Sequence, residues 1–183
     1  NTTKIILFSF LFVYTNHISF AQNSNIDASK LVPRAEISFS PRTGSFVEGS
    51  TFEVPILLNT KGNSINSIEL RISFDRDKLS IIKPSNGSSI IGVWVEPPKY
   101  DNTRGTASYV GVIPNGITTA SGLIGSITFK ALKTGLASVR IGNESTLLLN
   151  NGLGTEITFD SIKASYTIIP KAPEGLNVIS ETH

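Results

Sequence analysis

Two runs of this chain alternate apolar and other residues with a period of two. Phe52, Val54, Ile56 and Leu58 are separated by Thr51, Glu53, Pro55 and Leu57, and Ile68, Leu70, Ile72 and Phe74 by Ser67, Glu69, Arg71 and Ser73. Successive side chains of an extended chain point to opposite faces, so each run predicts a strand with one face in a core. Pro55 has no N–H to give to a ladder, and its strand is expected at a sheet edge or at a bulge. Further strands are predicted over 36–40, 79–83, 90–96, 106–113, 123–132, 137–141, 145–149 and 162–168. The segments 41–44, 60–63, 84–87, 101–105, 114–116, 134–135 and 150–152 supply the Gly, Pro and Asn that turns require. No window has helical periodicity of useful length, and no solenoid-like repeat is present. Short strands at regular spacing predict an all-β, antiparallel sandwich or barrel, the sandwich being preferred. Its expected core holds Phe52, Val54, Ile56, Ile68, Leu70, Ile72, Phe74, Ile127, Phe129 and Tyr166.

A chain of 183 residues is long enough for one full core with additions at its ends. With no cysteine it has no disulfide, thiolate metal site or thiol nucleophile, so burial alone must hold the fold. Sixteen Lys and Arg against 14 Asp and Glu give a net charge of +2, without the dense basic face that binds nucleic acid. Charged residues make up 16% of the chain, below the roughly 25% usual for soluble domains. Ser, Thr, Asn and Gly are abundant instead, as in extracellular β-domains.

Residues 1–21 combine Lys4, an apolar stretch over 5–14 and small residues at Ser19 and Ala21, which is the pattern of a secretory signal peptide cleaved after Ala21. About ten apolar residues are too few for the roughly 20 that span a bilayer. Residues 22–33 read as a polar spacer, and the main domain is expected over 34–169. Over 170–183, Pro170-Lys-Ala-Pro173 reads as an extended linker and Gly175-Leu-Asn-Val-Ile-Ser as the first strand of a further β-module. Both ends are expected to be cut from a longer protein.

Catalytic chemistry finds little support. The two histidines are His17, in the signal, and His183, the last residue, so the domain between them has no imidazole for acid–base work or zinc. Its acids fall singly at strand ends and turns rather than as a facing pair of the glycosidase kind. Asp75-Arg76-Asp77 offers two carboxylates but no further calcium ligands at EF-hand spacing, and is read as a turn capped by Asx side chains. Gly122-Leu-Ile-Gly125 leads into a strand and not into a phosphate-binding helix. Asn86-Gly-Ser and Asn143-Glu-Ser are formal glycosylation sequons. No catalytic residue, metal or cofactor is assigned.

The order of the motifs is informative. Gly44-Ser-Phe46, Gly49-Ser-Thr-Phe52-x-Val54, Asn59, Ile65-Asn-Ser-Ile-Glu69 and Phe74-Asp-Arg-Asp-Lys-Leu79 are followed by Asn102-Thr-Arg-Gly105-Thr-Ala-Ser-Tyr109-Val-Gly111, Gly122-Leu-Ile-Gly-Ser-Ile127-Thr-Phe129-Lys-Ala131 and Thr134-Gly135. Over roughly residues 34–170 this series resembles the cohesin module of cellulosome scaffoldins. Arg76 stands where that family's turn after its third strand typically has proline.

The resemblance implies a nine-stranded sandwich of jelly-roll topology, and binding without chemistry. Cohesins hold dockerins, small calcium-loaded helical modules of secreted enzymes, on one flat sheet face. Here the implied partner-binding positions are Ser67, Glu69, Arg71 and Ser73 on the third strand, with Trp94 and Tyr109 nearby. Hydroxyls and opposite charges suit a polar contact, and Trp and Tyr are frequent interface anchors. Two alternatives stay open: a carbohydrate-binding module stacking sugar rings on Trp94, Tyr100 and Tyr109, with polysaccharide as its ligand, or a structural stalk domain of a cell-surface protein.

Overall fold

The computed structural model describes residues 34–173, an all-β sandwich without helices. The expected signal (1–21), the spacer (22–33) and the expected strand over 175–180 lie outside the described residues. Twelve strands follow in order. They are β1 (Arg34–Phe39), β2 (Thr43–Val47), β3 (Thr51–Asn59), β4 (Ile65–Phe74), β5 (Leu79–Ser85), β6 (Val93–Asp101), β7 (Thr106–Ile117), β8 (Gly122–Ala131), β9 (Gly135–Ile141), β10 (Thr146–Leu149), β11 (Thr158–Ile162) and β12 (Ala164–Ile169). One sheet runs β11-β1-β3-β8-β5 and the other β2-β12-β9-β4-β7-β6, with β10 pairing β4 beyond the end of β9.

The alternation in β3 and β4 is the pattern of their burial. All ten residues expected in the core are buried, joined by Ile37, Phe39, Leu58, Tyr109, Val139 and Leu147 among others. Phe46 stacks on Phe52 with ring centroids 3.7 Å apart, and Tyr166 and Phe129 meet Phe52 at 5.2 and 5.9 Å, so aromatic rings fill one region between the sheets.

Two expectations need correction, and a third, for Pro55, is met by a bulge rather than by a sheet edge. The sheets are mixed rather than purely antiparallel, because β1 pairs β11 and β2 pairs β12 in parallel. Those pairings supply β2 and β11, the two strands beyond the ten that periodicity predicts: β2 has a single inward aromatic, Phe46, and obtains its ladder from residues far along the chain, which no local pattern announces. Pro55 is on an interior strand, between β1 and β8. The β1 ladder ends at Phe39 opposite Ile56, after which only Ser40 N–H donates to Pro55 C=O (2.9 Å), and the β8 ladder shifts register between Ile56 and Leu57. Proline therefore sits where one neighbour departs and next to a bulge with the other. Finally, β6 starts and ends later than expected and runs through Pro97 and Pro98, which an edge strand tolerates.

Candidate functional site

The outer side of β9-β4-β7-β6 is a broad, unroofed sheet face, and the register sets its side chains in rows. At one end Leu148, Ser67, Val112 and Val93 lie side by side across β10, β4, β7 and β6. The next row is Thr146, Glu69, Val110 and Glu96, then come Arg71, Ser108 and Lys99, and at the far end Arg140, Ser73, Thr106 and Asp101. The face is thus apolar at one end, where Val93 and Val112 are 53% and 37% exposed, and charged at the other. Its middle strand, β7, contributes only the short Thr106, Ser108, Val110 and Val112, whereas β4 and β6 carry Glu69, Arg71, Glu96 and Lys99. A trough two strand spacings wide, about 10 Å, therefore runs along β7. At the charged end it deepens into a groove of about 630 Å³ lined by Arg71, Ser73, Lys99, Tyr100, Asp101 and Arg104, among others.

The charges are paired within the chain. Arg71 donates to Glu69 along β4, Lys99 to Glu96 along β6, and Arg104 Nε to Asp101 Oδ2 at 2.8 Å, while Arg140 Nε donates to Ser73 Oγ at 3.0 Å. The Lys99 hydrogen bond, assisted at longer range by Arg71, holds the Glu96 carboxyl below its ordinary value despite some desolvation. Backbone N–H donation from Arg104, with further bonds from its side chain and from Thr103, does the same for Asp101. The face carries acids and bases but little net field. Arg71 is further fixed from below, its N–H donating to Ser145 Oγ (2.9 Å) and its C=O accepting from Gly142 N–H (2.6 Å).

The row of Ser67, Glu69, Arg71 and Ser73 is half-exposed on this face, as expected. Trp94 and Tyr109 are not on it. Tyr109 is fully buried, and its hydroxyl donates to Ser126 C=O at 2.7 Å in the opposite sheet. Thr106 and Ser108 share a parity with each other and not with Tyr109, which goes inward with Ala107 and Gly111; reading that alternation would have placed it correctly. Trp94 lies opposite Gly111 on the inward side, half-buried against the core, with its ring 6.1 Å from Tyr109. A Cβ on Gly111 would stand 2.3 Å from buried Ile91, so only glycine fits beneath this corner. The three aromatics proposed for sugar stacking therefore do not form an exposed line: Tyr100 alone is open, at 44%, and its hydroxyl leans on Ile82 C=O at 3.3 Å.

The Asp75-Arg76-Asp77 turn is closed by the main chain rather than by Asx caps. Asp75 C=O accepts from Lys78 and Leu79 N–H at 3.0 and 2.8 Å, its carboxylate accepts from Ser138 N–H at 2.9 Å, and Arg76 donates to Thr103 C=O. Among the described residues no group of three or more acids or histidines is placed to hold a metal.

The cohesin domain profile matches residues 41–168. The chain belongs to the cohesin family. Solved structures of similar fold include a type I cohesin–dockerin complex from Clostridium thermocellum containing the OlpC cohesin (14% identity, TM-score 0.62, covering 75% of this chain and 94% of that one). Also similar are the seventh ScaB type I cohesin of Pseudobacteroides cellulosolvens (20%, 0.60, 77% and 96%) and the cohesin module of a family 33 glycoside hydrolase from Clostridium perfringens (12%, 0.59, 76% and 98%). At such identities the likeness establishes the jelly-roll fold. The comparison with curated proteins gives no match. In this cohesin the residues that the sequence did not single out are those of β6 and β7: Val93, Glu96, Lys99, Ser108 and Val112. Their signal was the polar alternation of 106–112, obscured in β6 by two bulges.

Proposed function

We propose that this cohesin is a non-catalytic binding module that holds a dockerin on the outer face of β9-β4-β7-β6. The observation that carries the reading is the trough along β7, whose width of about 10 Å matches the diameter of an α-helix. Solved cohesins of the same fold have been captured with dockerins, which supports the choice of partner. In this reading Ser67, Glu69, Arg71 and Ser73 form one wall and Glu96 and Lys99 the other. The segment 1–21 exports the chain, so the module works outside the cell, on a secreted or surface scaffold. A role in organising polysaccharide-degrading enzymes follows from the kind of proteins that carry dockerins. Calcium enters through the partner, which folds around it.

Calorimetric titration with a panel of calcium-loaded dockerins, and in parallel with insoluble polysaccharides, tests this. One-to-one binding of at least one dockerin is expected, abolished by a chelator that leaves the thermal midpoint of the cohesin itself unchanged. Tight polysaccharide binding lost on Tyr100→Ala, with no dockerin bound, would replace the reading with a carbohydrate-binding one.

A further inference from the structure

Three turns meet at one end of the sandwich: residues 75–78 between β4 and β5, 102–105 between β6 and β7, and 132–134 between β8 and β9. They border a cavity of about 470 Å³ whose wall carries Arg76, Lys78, Arg104 and Lys133 together with Asp75 and Asp77. Four cations against two acids put as much excess positive charge in this one cavity as the whole chain carries, +2.

These cations are held in place without being neutralised. Arg76 donates to Thr103 C=O and Lys78 Nζ to Thr134 C=O at 3.1 Å, both main-chain acceptors without charge. A Cβ on Gly135, at φ 118°, would stand 2.9 Å from Lys78 Nζ, so glycine lets the ammonium lie against its turn. Of the four, Arg104 alone has a carboxylate partner, Asp101; among the described residues Arg76, Lys78 and Lys133 form no ion pair, whereas Arg34, Lys61, Arg71 and Lys99 each face an acid. Asp75 is engaged by Ser138, whose N–H and Oγ both donate to its carboxylate, and Asp77 is exposed without an ion pair.

A wall of both signs suits a ligand that is itself mixed. The unneutralised guanidinium and ammonium donors take a carboxylate, and Asp77 accepts from hydroxyls. A bare sulfate or phosphate would gain from the cations and be repelled by the acids beside them. The volume falls in the range of sites for small organic molecules, about 300 to 1,000 Å³.

We propose that this cavity is a binding site for a sugar acid: it holds one uronate unit of an acidic polysaccharide, with Arg76, Lys78 and Lys133 around the carboxylate and Asp77 on the ring hydroxyls. Arg76 stands where cohesins typically have proline, so this charge belongs to the present chain rather than to the fold. The site needs no line of aromatic rings and does not use the trough over β7, so it stands independently of the dockerin reading.

Calorimetric titration of the whole chain with a galacturonic acid trimer in 0.05 M NaCl tests it. One-to-one binding is expected, at least tenfold tighter than that of a galactose trimer, of inorganic sulfate or of a glutamate trimer. Arg76→Gln with Lys133→Gln is expected to weaken it at least tenfold. Lys83→Gln with Lys163→Gln, which removes the same charge from exposed lysines elsewhere, and Tyr100→Ala are each expected to stay within twofold. The substituted side chains are exposed, so all these variants are expected to keep the parent's thermal midpoint. Raising NaCl to 0.5 M is expected to weaken binding at least fivefold, as screening requires. The proposal is overturned by a parent chain that does not bind the acidic trimer, by sulfate or the glutamate trimer binding as tightly as the sugar acid, or by equal losses in the two double variants. None of these outcomes bears on the dockerin reading, which is decided by its own titration.

Discussion

The Tyr109 hydroxyl, on β7, donates a 2.7 Å hydrogen bond to the Ser126 carbonyl on β8, joining the two sheets through the middle of the core. The ring approaches so closely that a Cβ on Gly125 would lie 2.6 Å from Tyr109 Cε1. A residue expected at the interface is instead a strut behind it. Tyr109→Phe removes the donor of this buried hydrogen bond, at a cost of about 0.5 to 1.5 kcal/mol. Urea unfolding is expected to show that loss, while dockerin binding stays within twofold of the parent.

Burial also pushes the Tyr109 and Tyr166 hydroxyls above the ordinary tyrosine pKa. In the unfolded chain both ionise near pH 10, whereas the folded state keeps its protons longer, so the unfolded state binds fewer protons above that pH and stability falls. Below pH 10 both states are neutral at these sites and nothing is lost. Denaturant midpoints are expected to hold level from these two groups up to about pH 10 and to drop beyond it. Tyr166→Phe is expected to flatten the drop.

Phe129 is fully buried on β8 and meets Phe74 edge-on with centroids 5.4 Å apart. Phe129→Ala leaves a cavity between the sheets and is expected to cost about 3 to 5 kcal/mol in equilibrium unfolding. A change near zero would mean that the strand register is wrong, since a one-residue slip turns every side chain to the other face.

What was legible in the sequence, and what was not, divides along the same physics. Alternation in β3 and β4 gave the core and the row of Ser67 to Ser73 because period-two burial is a local property. Tyr109 was misplaced by residue type: tyrosine suits an interface, but its parity with Ala107 and Gly111 sends it inward. In β6, Glu96 and Lys99 share a face although they are three positions apart, because the Pro97-Pro98 bulge inserts one extra residue against β7. No alternation rule sees that from the chain alone. The parallel partners β2 and β11 were missed since their ladders join residues more than a hundred positions apart.

Exchanging the charges of the β4 wall, Glu69→Arg with Arg71→Glu, keeps the internal pair but reverses its polarity. Both side chains are half-exposed, so the thermal midpoint is expected to move little. Dockerin capture measured by calorimetry is expected to weaken by roughly 1 to 2 kcal/mol, about tenfold, as misplaced charge at an interface does.

The central claim, that the trough over β7 is where the partner lies, is tested most directly by filling it. Ser108 is at the floor of the trough, and Thr128 is a comparable outward position on β8 of the opposite sheet. Ser108→Trp and Thr128→Trp are to be titrated with a dockerin that binds the parent chain, each after its thermal midpoint has been matched to the parent. The account predicts a loss of more than a hundredfold for Ser108→Trp and less than threefold for Thr128→Trp. Parent-like binding by Ser108→Trp, with the loss appearing in Thr128→Trp, would contradict it and move the interface to the other sheet.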